Sequence, residues 1–261
     1  MILRNMLFLL IYLYPALTGM AAAADSPAIA AASDLKFALE EVASRFRADS
    51  KKEVRLSFGS SGNYFRQIEQ GAPFQLFLSA DEDFVFRLHQ SGKTEDRGVL
   101  YATGRIVLFV PAGSNMNLDE SMAGLKTAIA NNQIRRFAIA NPEHAPYGRA
   151  AEQALRKLGL WESLQGKLVL GENVSQAAQF AASGSTQGGI FAYSLALSPT
   201  VAQQGRYVLL PDDLHQPLRQ RMVLIKGAGE TARVFYAYLQ QPVARKILEQ
   251  YGFVVPAVAA K

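Results

Sequence analysis

The chain has 261 residues, no cysteine and a formal net charge of +5 at pH 7. The lack of cysteine excludes cysteine nucleophiles, thiolate metal sites, disulfides and lipid attachment to an N-terminal cysteine. The basic residues are scattered rather than clustered with aromatic residues, which argues against nucleic-acid binding and is compatible with an anionic ligand.

Residues 1–24 have the pattern of a secretory signal peptide. Arg4 makes the start positive, an apolar stretch broken by Pro15 follows, and Ala22 and Ala24 supply small residues for cleavage. The apolar stretch is shorter than the ~20 residues that a membrane-spanning helix needs. We therefore expect export and cleavage, which would give a soluble periplasmic protein.

A short apolar strand, a turn of small residues and an amphipathic helix recur four times along the chain. The first unit has a strand at about 28–32, and its helix places apolar residues at the spacing of one face, from Leu35 to Phe46. The second helix ends at Gly71, and the third has Pro146 at its start, where a missing N–H is tolerated. The four units are residues 27–50, 53–71, 137–159 and 167–184.

Strands that alternate with helices predict mainly parallel sheets covered by helices on both faces. Two long apolar strands, 104–111 and 219–227, separate the units and predict a two-strand hinge between two α/β lobes with a cleft between them. We expect lobe 1 to comprise residues 25–104 plus about 218–258, and lobe 2 residues from about 105 to 217.

The turns of all four units lie at the carboxyl ends of their strands, where ligands gather in such sheets. A Ser or Asp before a helix is most often only an N-cap, so each turn alone is a weak signal. Four helix starts in one cleft, however, form a pocket of neutral donors suited to a compact oxyanion. The expected donors are the hydroxyls of Ser33 and Ser61 and the amides of Asp34, Tyr147 and Val174 and those around Gly62.

The second turn, "GSSG", contains two serines with different expected roles. Ser61 lies next to Gly62 at the helix start, where its hydroxyl can point at a ligand. Ser60 is one residue earlier on the emerging strand, and we expect it to contact mainly the local backbone.

Four segments resemble the periplasmic molybdate-binding proteins of ABC transporters, the ModA family. They read "AAASDLKFALEEVASRF", "SFGSSGNYFRQIEQGAPFQLFLSAD", "ANPEHAPYGRAAEQALRKLG" and "GENVSQAAQFAASGSTQGGIFAYS". The resemblance extends from about residue 27 to 251, and "GAPFQLFLSAD" and "NPEHAPYG" are its most specific parts. It implies a two-lobed, hinged periplasmic-binding-protein fold of type II and a periplasmic monomer without enzymatic activity or cofactor. It also implies a molybdate or tungstate dianion as ligand and a membrane permease as partner.

By the same resemblance, the anion is held by hydrogen bonds without a balancing cation. Ser33 and Ser61 would donate through their hydroxyls, and Tyr147 and Val174 through their backbone amides. Some family members add a tyrosine hydroxyl at the position where this chain has Ala192, so the following Tyr193 is a further candidate contact, together with Gly62 and Asp34.

Asp34 is an unusual neighbour for a dianion, because a carboxylate would repel it. We expect its side chain to turn away and cap its own helix. If the carboxylate instead pointed inward, it could accept a proton from hydrogen phosphate, which leaves phosphate as an alternative oxyanion. Sulfate is a further alternative because it shares the shape and charge of molybdate.

Two alternatives belong to other classes of protein. A serine hydrolase would need a base beside Ser61, and only His89, His144 and His215 are available. "GSSG" lacks the G-x-S-x-G spacing, and we expect no histidine beside Ser61. A ferric-iron binder would use Glu143, His144 and Tyr147, yet no second cluster completes a coordination shell. An effector-sensing domain of the same fold is disfavoured by the export signal and by the lack of a DNA-binding helix pair.

Overall fold

The computed structural model describes residues 26–257, which form two lobes, each built on a five-stranded sheet. The predicted signal peptide, residues 1–24, lies outside the described residues and stays a prediction. Within residues 26–257 no helix combines the length and the apolar character needed to cross a bilayer.

The sheet of the first lobe has the strand order β2-β1-β3-β10-β4. Its strands are β1 Ala28–Ala32, β2 Arg55–Gly59, β3 Leu76–Ser79, β4 Val99–Gly104 and β10 Leu218–Leu224. β1 pairs in parallel with β2 and β3, whereas β10 runs antiparallel to β3 and β4. The sheet is therefore mixed, with its parallel part at the end where β1 and β2 lead into the first two predicted turns.

The sheet of the second lobe repeats this arrangement in the order β7-β6-β8-β5-β9. Its strands are β5 Ile106–Pro111, β6 Phe137–Ala140, β7 Leu168–Gly171, β8 Gly189–Ala192 and β9 Gly205–Leu209. β6 pairs in parallel with β7 and β8, and β5 runs antiparallel to β8 and β9. In both lobes the parallel strands carry the turns that the sequence singled out.

Eleven α-helices pack on the sheets within the described residues. In the first lobe they are α1 Lys36–Ser50, α2 Ser61–Glu69, α3 Glu82–Gln90, α10 Glu230–Tyr238 and α11 Pro242–Gln250. In the second lobe they are α4 Ala123–Ala130, α5 Pro146–Lys157, α6 Trp161–Leu164, α7 Val174–Ala182, α8 Tyr193–Ala196 and α9 Pro199–Ala202. Short 3-10 turns occur at Ser33–Leu35, Gln165–Lys167 and Asp212–Leu214.

The first helix shows why the sequence forms these layers. α1 buries Ala38, Leu39, Val42 and Phe46, all at the spacing of one helical face, which confirms the face predicted from the sequence. Phe46 packs edge-on against Phe235 of α10 at 4.9 Å between ring centroids, so the C-terminal helices cover the same core. The chain thus returns to the first lobe after completing the second.

The chain passes between the two sheets at two places. Arg105 alone separates β4 from β5, and residues 210–217 separate β9 from β10. β4 and β10 are neighbours in the first sheet, and β5 and β9 are neighbours in the second. The two passages therefore lie side by side and form the hinge. The strand ends of both sheets face each other across the cleft. The cleft is closed: the Ser175 hydroxyl of the second lobe donates to the Ser33 carbonyl of the first at 2.8 Å.

Candidate functional site

The four predicted turns meet at one small cavity between the lobes. The first lobe contributes the residues after β1 and β2, and the second lobe those before α5 and at the start of α7. The cavity is small: the volume open to the centre of a water-sized sphere is about 10 Å³, about the minimum that holds one water molecule. Its lining residues are Ala32, Ser33, Asp34, Gly59, Ser60, Ser61, Ala80, Ala145, Pro146, Tyr147 and Val174.

Neutral donors face this cavity without a protein acceptor. The hydroxyl oxygen of Ser61 accepts from the Ala80 amide at 2.9 Å and that of Ser33 from the Ser175 amide at 3.3 Å. A hydroxyl that accepts in this way keeps its own hydrogen for another partner. Among residues 26–257, no protein oxygen accepts from the amides of Tyr147 or Val174. These donors can therefore serve a bound acceptor.

The starts of α5 and α7 explain why these two amides are unpaired. Tyr147 follows Pro146 at the first helical position, and Val174 is itself the first residue of α7. The amides of a first helical turn have no partner within their own helix, and the positive end of the peptide dipole lies there as well. No Lys or Arg lines the cavity, so the attraction for an anion comes from backbone and hydroxyl dipoles.

Ser60 has the local role expected from the sequence. Its hydroxyl oxygen accepts from the Asn63 amide at 3.3 Å and caps α2. It also lies 3.0 Å from Nδ1 of His144, a contact across the cleft that sequence reasoning missed. The two hydroxyls thus differ as predicted. That of Ser60 contacts the local backbone, whereas that of Ser61 keeps its hydrogen available for another partner.

Asp34 does not depend on a local helix cap alone, as the sequence led us to expect. Its carboxyl is buried, and besides the nearby amides of Asp34 and Leu35 its partners are side chains distant in sequence. Oδ2 accepts from the Tyr147 hydroxyl at 2.9 Å and from Nε2 of Gln220 at 2.7 Å, while Oδ1 is buried without a hydrogen-bond partner. Tyr101 extends this network, because its hydroxyl donates to Oε1 of Gln220 at 2.7 Å.

Burial controls the ionisation of this hinge cluster, defined as Asp34, Tyr101, Tyr147 and Gln220. Loss of water raises the pKa of the Asp34 carboxyl from its ordinary 3.8 to about 6, against the lowering effect of the hydrogen bonds from Gln220 and Tyr147. Burial, together with the charge of Asp34, holds the pKa values of Tyr101 and Tyr147 well above the usual range. Both tyrosines therefore stay neutral donors.

Gly62 does not have the role expected of it. Its amide donates to the backbone carbonyl of His144 at 3.0 Å, so this N–H is already used. A Cβ at this position would lie only 2.6 Å from the same oxygen. Glycine is needed here because the backbone of the second lobe comes so close, and not because the amide faces the cavity.

Tyr193 is also placed elsewhere. It begins α8 directly after β8, and its ring packs on Tyr207 at 5.7 Å between centroids, with the Arg105 guanidinium 4.9 Å from its own centroid. It is absent from the cavity lining, as is Ala192. The structure therefore does not bring Tyr193 to the cavity.

The residues proposed for the two alternative chemistries do not converge. His144 contacts Ser60 rather than Ser61, and Ser61 carries no histidine contact in the described part of the chain. The ferric-iron candidates point apart, because Glu143 lies toward Asn141 while the Tyr147 hydroxyl bonds Asp34. Residues 26–257 contain no group of three or more His, Cys, Asp or Glu residues that could hold a metal ion.

Two serines of the second lobe hold the lobes together without lining the cavity. Ser175 donates to the Ser33 carbonyl at 2.8 Å, and Ser194 donates to the Asp34 carbonyl at 2.8 Å. Sequence reasoning missed both, because a serine just inside a helix start looks like any exposed polar residue. On the far side of the cavity, Arg149 of the second lobe forms an ion pair with Asp81 of the first.

Comparison with known proteins agrees with this geometry. The family described as bacterial extracellular solute-binding protein matches residues 28–254. The chain belongs to this family. Its solute-binding fold is the two-lobed periplasmic-binding-protein fold predicted from the sequence, and that prediction is confirmed. The solved periplasmic molybdate-binding protein of Azotobacter vinelandii superposes on it with a TM-score of 0.80 at 30% identity, covering 89% of this chain and 100% of that one.

Two curated relatives of this solute-binding protein carry the name molybdate-binding protein ModA. The protein of Azotobacter vinelandii is 35% identical over 248 residues, which is 94% of this chain and 96% of the relative. That of Rhodobacter capsulatus is 34% identical over 236 residues, which is 89% of this chain and 90% of the relative. The resemblance that the four sequence segments suggested is therefore confirmed over most of the chain.

Proposed function

We propose that this solute-binding protein binds molybdate or tungstate outside the cytoplasm and delivers it to the membrane permease of an ABC importer. One observation carries the proposal. Two hydroxyls and two unpaired backbone amides, half of them from each lobe, line one closed cavity that no Lys or Arg enters. Such a site suits a compact anion whose oxygens only accept hydrogen bonds.

In this proposal each donor forms a hydrogen bond to an oxygen atom of the tetrahedral anion. Ser33 and Ser61 donate through their hydroxyls, and Tyr147 and Val174 through their amides. Because each lobe supplies half of the donors, the anion joins the lobes, and its full affinity requires the closed cleft. Release then requires no more than opening of the hinge, the step that a permease can supply.

Support for molybdate and tungstate over other oxyanions comes from the relatives. The relatives that share about a third of their residues with this chain are named for molybdate. Hydrogen phosphate carries a proton that needs an acceptor, and Oδ1 of Asp34, which has no hydrogen-bond partner, is available for it, whereas Oδ2 already receives two hydrogen bonds. Sulfate and phosphate remain the alternatives that the titration below compares.

The proposal includes no chemical step on the ligand. No histidine contacts Ser61 within residues 26–257, so the donors bind without an adjacent base. We also propose that the protein acts as a periplasmic monomer after cleavage of residues 1–24, and that it needs no cofactor.

Calorimetric titration of the chain without residues 1–24 tests this function. We expect molybdate and tungstate to bind much more tightly than sulfate or phosphate at pH 7. Equal or tighter binding of phosphate would contradict the proposed ligand and would assign Asp34 as the acceptor of the phosphate proton. Tighter binding of sulfate would keep the oxyanion site but overturn the molybdate assignment.

A further inference from the structure

Asp34 is a buried acid without a cationic partner, next to a site for an anion. It is 1% exposed, lines the cavity and directly follows the proposed donor Ser33. Within residues 26–257 no Lys, Arg or His forms an ion pair with it. A carboxylate in such a position loses its hydration and gains only neutral hydrogen bonds in return.

The groups that face this carboxyl come from several elements, and all are neutral. Tyr147 of α5 and Gln220 of β10 contact Oδ2, and Tyr101 of β4 lies behind Gln220. From α8, Ser194 donates to the backbone carbonyl of the same residue. His144 of the loop before α5 is not among the lining residues, and its ring is directed at Ser60 and Glu172.

Burial of Asp34 depends on closure of the lobes. Asp34 belongs to the first lobe and Tyr147 to the second, so their 2.9 Å hydrogen bond exists only when the cleft is closed. The Ser194 contact to the Asp34 carbonyl also crosses the cleft. Opening the hinge therefore returns water to the carboxyl, and closing it removes that water at the moment when an anion enters the cavity.

We propose that closure of the lobes on the anion takes up one proton from solvent at the carboxylate of Asp34, which makes this residue a determinant of specificity. The proposal rests on the function proposed above. The neutral acid presents no charge to an anion that is fully ionised, such as molybdate. The ionised acid repels it and instead favours a ligand that brings its own proton, such as hydrogen phosphate.

The direction of the pH effect follows from linkage. The closed form holds the proton more tightly, since its Asp34 pKa is about 6 against an ordinary 3.8. Anion affinity is therefore highest at low pH and falls as the pH rises through this window. A bound dianion raises the upper limit of the window further, because two like charges disfavour each other.

Calorimetric titration with molybdate at pH 5.5, in buffers of different ionisation enthalpy, measures the protons taken up. We expect about 0.7 of a proton or more per anion, and affinity at least about fourfold weaker at pH 8 than at pH 5.5. Asp34→Asn, which preserves the shape of the side chain and an oxygen acceptor for Tyr147, should abolish the uptake and flatten the pH profile. The matched control His144→Gln should retain the uptake.

Three outcomes would overturn either this inference or the proposed function. Tight molybdate binding by the parent protein without proton uptake overturns this inference and leaves the proposed function intact. Failure of the parent to bind molybdate or tungstate overturns the proposed function instead. Uptake that survives in Asp34→Asn but is lost in His144→Gln assigns the proton to His144 and overturns the role of Asp34. If Asp34→Asn fails to fold, the parent still shows whether closure takes up a proton, and loss of the uptake in His144→Gln would still overturn the role of Asp34.

Discussion

The two lobes line the cavity by different chemical means. The first lobe presents the side-chain hydroxyls of Ser33 and Ser61, whereas the second presents the backbone amides of Tyr147 and Val174. A hydroxyl depends on the identity of one residue, while an amide depends on where a helix begins. The donors of the first lobe can therefore be removed by ordinary side-chain substitutions, whereas those of the second lobe are removed only by a change in the backbone.

The largest effect is expected from Val174→Pro. Proline is favoured at a first helical position, and Asn173 before it is extended, with φ −149° and ψ 173°, as a residue before proline should be. The substitution therefore preserves α7 but deletes the N–H and adds a ring carbon where the anion would lie. We expect molybdate affinity to fall about a hundredfold or more, which corresponds to roughly 2.7 kcal/mol, measured by calorimetry.

Val174→Ala is the matched control, because it shortens the side chain and leaves the amide in place. We expect its affinity to stay within about threefold of the parent. Equal losses in both variants would mean that the Val174 side chain, and not its amide, matters to binding. The contrast between hydroxyl donors in the first lobe and amide donors in the second would then be lost.

Ser61→Ala should have the next largest effect. A hydrogen bond to a charged partner is worth roughly 1.5–3 kcal/mol, so its removal should weaken molybdate binding about tenfold or more. The hydroxyl also accepts from the Ala80 amide at 2.9 Å, so some stability is lost as well. Thermal unfolding without ligand must be measured beside the affinity. A variant that is less stable but binds molybdate like the parent would show that Ser61 is only structural.

Ser60→Ala should have the smallest effect on binding. Its hydroxyl caps α2 and contacts His144, so its loss removes an N-cap worth about 1 kcal/mol of stability. We expect the unfolding temperature to fall while molybdate affinity drops less than in Ser61→Ala. An affinity loss larger than that of Ser61→Ala would reverse the roles assigned to the two serines.

Much of the fold and of the cavity could be predicted from the sequence, because both follow from local patterns. The apolar alternation and helical spacing of the four units mark the strand ends, and parallel strands bring their ends to one edge. Ser33, Ser61, Tyr147 and Val174 were therefore placed at one cavity without knowledge of any long-range contact. Helix starts are local features, and so are the donors that they present.

The errors concern contacts between residues distant in sequence. We expected Asp34 to cap its own helix, but its side-chain hydrogen bonds come from Tyr147 and Gln220, 113 and 186 residues away. The Gly62 amide was expected to face the ligand, but the carbonyl of His144 reaches it from the other lobe. No local pattern encodes which groups meet when two lobes close, so the sequence alone could not indicate these partners.

Gly104 at the end of β4 leaves the space that the Tyr147 hydroxyl occupies in the closed form. A Cβ at Gly104 would lie 2.1 Å from the Tyr147 hydroxyl and 2.7 Å from Nε2 of Gln220. Any larger residue here would act as a wedge against Tyr147 of the second lobe in the closed form, while its clash with Gln220, a residue of the same lobe, would persist in the open form. Since a ligand shifts a conformational equilibrium only by its preference for one state, such a wedge would lower the apparent affinity without touching the anion. The absence of a side chain at Gly104 is therefore a condition for closure of the hinge.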